Sequence, residues 1–168
     1  TPAPLDIPFP IVECGAECAC APSCPSRVVQ GGPRYRLAVA KTARKGWGLR
    51  AAEPIPAGGF VGEYAGELLS TVEARERQRA YDAAGGTYLM VLRETLPGGG
   101  VSVRVNIDAT RIANVCRFIN HACEPAGNLL VHPVRPGSCP IPRAAFFARR
   151  PIAPGEELTY SYGDFREG

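Results

Sequence analysis

The chain has 168 residues, 45% of them hydrophobic, and a formal charge of +3 at pH 7. That length predicts one domain with enough apolar side chains for a core, and so mild a charge excludes the dense basic stripe of a protein that holds nucleic acid through its phosphates. With 19 glycines and 17 prolines, more than a fifth of the chain, many short strands joined by turns are expected in place of long helices.

The chain begins at Thr1 and its one methionine is Met90, so an excised or processed piece is expected. No charged leader with an apolar core and no bilayer-spanning apolar run is visible; a soluble intracellular protein with no membrane partner is the expectation. Residues 1–11 are proline-rich with an apolar tail and predict an extended surface arm. Then Cys14, Cys18, Cys20 and Cys24 follow with gaps of three, one and three residues. In a chain that is not secreted, such crowding suggests metal ligation before disulfides. A single intervening residue makes a local disulfide uncomfortable, whereas thiolates this close can chelate zinc at a Zn–S distance of about 2.3 Å.

Residues 34–41 alternate Tyr35, Leu37 and Val39 with smaller or more polar neighbours and predict a half-buried strand. Lys45-Gly46-Trp47-Gly48-Leu49 comes next. Its glycines let the backbone turn and approach a ligand, and the indole of the one tryptophan offers a flat face to an adenine or a sulfonium. An isolated tryptophan is otherwise a core residue. Pro54-Ile55-Pro56-Ala57-Gly58 and Pro151-Ile152-Ala153-Pro154-Gly155 share one pattern, each ahead of an apolar strand, and read as matching turns. The first leads to a strand from Phe60 that carries Gly62-Glu63-Tyr64-Ala65-Gly66-Glu67.

Ser70 followed by Glu73 is a capping box, and Glu73 can pair with Arg77, so the main helix is predicted over 71–82 and ended by Gly85-Gly86. Its Arg75, Arg77 and Arg79 read as a solvated face. Residues 87–93 and 101–107 flank Pro97-Gly98-Gly99-Gly100 as a hairpin, with Tyr88 near its start, where a core tyrosine would fit. Further strands are predicted over 128–135 and 143–149; His132 has no motif around it and is read as structural.

Between these lies Arg117-Phe118-Ile119-Asn120-His121-Ala122-Cys123-Glu124-Pro125, a poor helix or strand in which an amide and an imidazole precede a lone thiol and a proline. Its counterpart runs from Gly155 to Tyr162, where Tyr160 and Tyr162 at i and i+2 of an extended strand point to one face. A cavity wall is the natural reading of the two together.

These two stretches, with the Lys45–Leu49 and Gly62–Glu67 motifs in the same order, resemble the signature of the SET-domain lysine methyltransferases over essentially the whole chain. Within that family the chain is most similar to the heterochromatin-type H3 methyltransferases and the methyltransferase part of their SET and mariner-transposase fusion branch. The resemblance implies a mostly β fold, several small curved sheets with a short helix and a C-terminal pseudo-knot. It implies a truncated pre-SET cysteine segment over 1–33, a SET domain over 34–168 and no post-SET tail. S-adenosylmethionine would be the methyl donor, a lysine of the histone H3 tail the acceptor, and the nucleus and chromosome the location.

By the same resemblance Tyr162 is the catalytic tyrosine, Tyr160 and Tyr64 line the lysine channel, and Lys45, Gly46, Trp47, Tyr88, Arg117, Phe118, Asn120 and His121 hold the donor. Tyr160 falls where relatives carry Phe or Tyr, and a hydroxyl there crowds out successive methyl groups, which implies mono- or dimethylation; lysine 36 and lysine 9 of H3 both stay open. Cys14, Cys18, Cys20 and Cys24 resemble the second half of the pre-SET zinc cluster, and Cys123 the SET-side ligand of a zinc completed by post-SET cysteines. Zinc is thus implied for the intact parent, with Cys123 a free thiol here, while Cys116 and Cys139 have no metal pattern. The chain departs from the family at Ser26, Ala113, Ala122 and Ser161, and by the added Ala126-Gly127 beside the knot, which could loosen the donor site.

A methyl acceptor must be a neutral amine, although a free lysine has a pKa of about 10.4. A dry aromatic channel and an adjacent sulfonium both lower it, so positioning can serve without a general base. The peptide is expected as a strand added to an exposed sheet edge, with Glu124, Glu156 and Asp164 either attracting a basic tail or simply solvated. The competing expectation is a non-catalytic SET module that binds chromatin or peptide without turnover.

Overall fold

The computed structural model describes residues 10–43, 45–95 and 102–162. In chain order the elements are β1 (Ile11–Glu13), β2 (Leu37–Lys41), β3 (Trp47–Ala51), β4 (Phe60–Glu63), β5 (Glu67–Leu69), α1 (Thr71–Ala84), β6 (Leu89–Thr95), β7 (Ser102–Asp108), β8 (Asn120–His121), β9 (Leu129–Pro136), β10 (Arg143–Ala148) and β11 (Thr159–Tyr160). Short 3-10 turns occupy Val29–Gly31 and Val115–Phe118. The strands form four small sheets, β1-β9-β10-β4, β5-β7-β6, β2-β3 and β11-β8, so the architecture is mostly β with one α-helix among the described residues. No helix among them is long and apolar enough to cross a membrane.

The run Ala144 to Ala148 is buried along its whole length because β10 is sandwiched between β9 and β4, and an inner strand covered on both faces reads as continuous apolar sequence. Around Phe146 the core gathers Leu49, Ile55, Val61, Leu92, Ile119, Leu129, Ile152 and Leu158. β6 and β7 pair antiparallel as the predicted hairpin; its turn, Pro97 to Gly100, and Val101 lie outside the described residues. β2 is less buried than its alternation suggested, with Val39 exposed.

Three findings differ from the sequence reading. Ile11, the end of the expected surface arm, joins β9 with Val12 and Glu13 as a parallel edge strand, and residues 1–9 of the arm lie outside the described residues. Buried Glu13 completes that attachment by accepting the Val29 N–H at 2.6 Å and the Gln30 side-chain amide at 2.9 Å. The two Pro-Ile-x-x-Gly turns are not merely alike but partners: Ile55 and Ile152 form an antiparallel bridge, exchanging N–H···O bonds of 3.0 and 2.8 Å.

The third concerns α1. Its start is capped as expected, Ser70 Oγ accepting the Glu73 N–H at 3.2 Å, and Gly85 closes it in the left-handed conformation at φ 83°. Arg77, however, is no solvated residue. Beyond Glu73 at 2.8 Å it donates to Glu67 at 3.0 Å and to the fully buried Asp108 at 2.8 Å, and Tyr81 donates to the same carboxylate at 2.7 Å. The helix is thereby anchored on β7 by a charged contact whose acidic member lies 31 positions away in sequence.

Candidate active site

The site is built where β8 and β11 pair in parallel, Asn120 opposite Thr159 and His121 opposite Tyr160. This pairing closes the C-terminal knot. Tyr160 is buried edge-on against Phe146 at 4.9 Å, and the Tyr160 and Tyr162 rings lie 4.7 Å apart, on one side of the chain as expected for i and i+2. The Tyr162 N–H donates to His121 Nδ1 at 3.0 Å and its hydroxyl to the Ile119 carbonyl at 2.6 Å. With Nδ1 accepting, a neutral imidazole carries its proton on Nε2, which faces Cys123 Sγ at 3.3 Å.

Asn120 joins three segments: its side-chain amide donates to the Trp47 carbonyl at 3.1 Å and to Glu157 at 2.9 Å. Lys45 Nζ donates to the His121 carbonyl at 2.8 Å. The Gly46 turn has φ 74°, and a Cβ on Gly48 would meet Thr42 Cγ2 at 2.6 Å and Asn120 Nδ2 at 3.1 Å, so the first glycine makes the expected turn and the second admits these two side chains against the backbone.

Tyr64 is buried and its hydroxyl donates to the Tyr88 carbonyl at 2.7 Å; burial first, then neighbouring Tyr162, pushes its ionisation well above the ordinary phenol. The Arg117 guanidinium stacks 3.9 Å over the Tyr88 ring and 5.6 Å from Phe118, and donates to the Thr110 carbonyl at 3.2 Å. Its Nε is buried with no hydrogen-bond partner among the described residues. Trp47, 52% exposed, and Tyr88, 38% exposed, are surface aromatics and not core.

Most of these side chains face one cleft of about 1030 Å³, bounded further by α1 and the β6–β7 hairpin. Tyr64, Tyr160, Tyr162, Lys45, Gly46, Trp47, Tyr88, Arg117, Phe118 and Asn120 line it; His121 alone of that predicted set does not, and stands behind Tyr162. Sequence reasoning missed Asn128, which has no motif around it. Buried at 2% exposure, it accepts the Thr159 N–H at 2.9 Å and donates to the Glu157 carbonyl at 2.8 Å and to Glu156 at 2.9 Å, clamping β11 in place. Gly127, half of the added dipeptide, packs directly against that strand: a Cβ there would lie 3.3 Å from Tyr160 Cα.

Glu124 and Glu156 are not loose acidic groups, because they pair with Arg149 and Arg150, and Arg150 with Asn128 holds the Glu156 carboxyl down at about 2. Asp164 lies outside the described residues. Away from the cleft the Sγ atoms of Cys14, Cys20 and Cys24 all lie within 4.8 Å of one another, with Cys14 and Cys24 at 3.9 Å. A tetrahedral zinc separates its thiolates by about 3.8 Å, so the trio fits that ion. Cys18 is outside the trio, Cys123 and Cys139 are exposed free thiols, and Cys116 is buried with its thiol pushed up to about 12 by burial.

Residues 46–163 match the SET domain family model. The histone-lysine N-methyltransferase SUVR3 of Arabidopsis thaliana is 48% identical over 90% of this chain and 44% of its own length. The histone-lysine N-methyltransferase SETMAR of Rattus norvegicus is 46% identical over 91% of this chain and 47% of its own. This chain therefore spans less than half the length of either relative. The crystal structure of the methyltransferase domain of human SETMAR superimposes with a TM-score of 0.81 at 42% identity, covering 91% of this chain and 54% of that one. KRYPTONITE in complex with mCHH DNA, an H3(1-15) peptide and SAH superimposes with a TM-score of 0.69 at 37% identity, covering 90% of this chain and 28% of that one.

Proposed function

The chain belongs to the SET-domain family, and from that premise we propose that it is a protein-lysine N-methyltransferase that moves methyl groups from S-adenosylmethionine to a lysine of the histone H3 tail, on chromatin in the nucleus. The observation that carries the proposal is the single cleft in which three tyrosines, 64, 160 and 162, meet Lys45, Trp47 and Asn120. KRYPTONITE with its H3 peptide and SAH supports both the donor and the acceptor class.

The donor end fits such a molecule. Trp47 and the Tyr88–Arg117 stack offer flat faces, Arg117 Nε is an unused buried donor, and about 1030 Å³ exceeds what one drug-sized ligand needs, leaving room for a lysine side chain beside it. Asn120, Lys45, Gly46, Phe118 and Tyr88 would complete the pocket, with His121 fixing Tyr162 from behind. S-adenosylmethionine, when bound, supplies an electrophilic methyl on a sulfonium. Buried Tyr64 and Tyr160 exclude water around the incoming ammonium, which favours its neutral form. Tyr162 orients the amine in line with the methyl, and much of the rate comes from that positioning. Tyr160 limits the product to one or two methyl groups, at lysine 36 or lysine 9. Residues 1–33 act as a partial pre-SET segment, in which Cys14, Cys20 and Cys24 would hold a structural zinc.

The deciding experiment is labelled-methyl transfer to an H3 peptide array by the chain in its full-length parent, with Tyr162→Phe as control. Transfer that falls about a hundredfold in that variant, a usual size for loss of one transition-state contact, is expected. A folded, donor-binding parent that labels no peptide would replace this reading with a SET module that binds without turnover.

A further inference from the structure

Behind the cleft, the end of β7 ties α1 to the wall where the donor is expected. Asp108 does not line the cleft, and its side chain is fully buried. One carboxylate oxygen, Oδ2, accepts from Arg77 Nη1 at 2.8 Å and from the Tyr81 hydroxyl at 2.7 Å, both on α1. The other, Oδ1, accepts the Thr110 N–H at 2.9 Å. A buried carboxylate that answers a cation with one oxygen and a backbone donor with the other fixes the residues that follow it, because displacing them would leave a charge short of partners in a dry site.

The residues that follow are Ala109 and Thr110, and each holds one half of the aromatic stack in the cleft. The Ala109 N–H donates to the Tyr88 carbonyl at 3.1 Å, the same carbonyl that takes the Tyr64 hydroxyl at 2.7 Å. The Thr110 carbonyl accepts Arg117 Nη1 at 3.2 Å while that guanidinium lies 3.9 Å over the Tyr88 ring. Arg117 forms no ion pair among the described residues, so this carbonyl and the rings of Tyr88 and Phe118 are what set its direction. A planar fork stacked on a ring keeps its aim only while the acceptor at its edge stays in place.

Resting on the methyltransferase reading, we infer that Asp108 is a positioning residue for the methyl donor: through Ala109 and Thr110 it holds Arg117 on Tyr88, and it thereby couples the seat of α1 to donor affinity. Neither Asp108, Ala109 nor Thr110 borders the cleft, so the effect passes through the stack and not through a contact with the donor. A carboxylate that served the helix alone would affect stability and leave donor affinity untouched, and the two roles part at that point.

The test is a double-mutant cycle on S-adenosylhomocysteine binding, by calorimetric titration of the chain in its full-length parent at a temperature where circular dichroism shows every variant folded. Asp108→Asn is expected to raise the Kd about tenfold, the size of one lost charged hydrogen bond. In an Arg117→Gln background, where the link to the stack is already cut, the same substitution should change the Kd by no more than about twofold. Arg135→Met strands the buried Glu94 away from the cleft and destabilises the fold by another route, and it should bind like the parent. Should Asp108→Asn not fold, Tyr81→Phe keeps the ring, removes one hydrogen bond to the carboxylate and is expected to weaken binding about threefold. An unchanged Kd in the Asp108 or Tyr81 variant, losses that add in full in the Arg117→Gln background, or an equal loss in Arg135→Met would each overturn the inference and leave Asp108 a helix anchor only. A parent that binds no S-adenosylhomocysteine removes the methyltransferase reading and this inference with it, whereas a parent that binds it with an affinity indifferent to Asp108→Asn counts against the positioning role alone.

Discussion

At the scale of single residues, the site depends on side chains that hold other side chains. Asn128 is the clearest: itself 2% exposed, its amide satisfies the N–H of buried Thr159 and the Glu157 carbonyl. Asn128→Ala leaves the buried Thr159 N–H unpaired, and should cost about 1 to 3 kcal/mol in urea unfolding. An unchanged midpoint would mean that β11 is held by the Tyr160 packing alone. Tyr160→Phe keeps the ring wedged against Phe146 and removes the hydroxyl, and mass spectrometry of the product should shift toward trimethylation. A product mixture identical to the parent's would show that another group sets the methyl limit. Asn120, His121 and the two tyrosines were legible in the sequence because each lies within a short contiguous motif, whereas Asn128 carries no neighbouring signal and gains its role from strands that only folding brings to it.

At the scale of elements, α1 shows how far local rules reach. Its cap, its glycine stop and the Glu73–Arg77 pair are all contained within a turn or two of helix, and all three were readable. What holds the helix down, Arg77 on Asp108, was not, since nothing local marks an aspartate at the end of a strand as a helix anchor. Burial pushes the Asp108 carboxyl up, but hydrogen bonds from Thr110, Tyr81 and Arg77 outweigh it and bring it down to about 2. A carboxyl held below its unfolded value stabilises the fold above that unfolded value and loses the contribution as pH falls. Melting temperature should therefore decline between about pH 4 and pH 2. Arg77→Met strands the buried charge and should cost about 3 kcal/mol at pH 7, with the acid decline beginning at higher pH. A variant with the parent's acid profile would show that Tyr81 and Thr110 suffice.

At the scale of the whole molecule, the cysteine segment and the cleft are joined through the largest sheet, because β1 runs straight into Cys14 while β9 and β10 carry on to the packing beneath Tyr160. Zinc held by Cys14, Cys20 and Cys24 would tie down the edge of that sheet. One equivalent of zinc per chain is expected after reconstitution, with a chelator or Cys20→Ser lowering the melting temperature; a chain that melts identically with and without the metal would make the trio an accident of crowding. Arg27 draws the Cys20 thiol below its ordinary value, whereas hydrogen bonds with Cys20 and Cys24 push the Cys14 thiol up to about 12, so Cys20 is the member of the trio that ionises first.

The amino-acid sequence alone determined what short-range physics can write: the capped helix, the strand pairing on either side of a glycine-rich turn, the all-apolar inner strand, and four motifs whose order carried the family. Only the tertiary structure decided that the two Pro-Ile-x-x-Gly turns pair, that His121 stands behind Tyr162 outside the cleft, and that arginines from α1, β6 and β7 meet on one wall. The physical reason is range. Caps, periodicities and turns are hydrogen bonds and faces within a few residues, while a cleft is assembled by chain closures over tens of residues, and charges that appear scattered and solvated along the sequence become neighbours only when those closures are made.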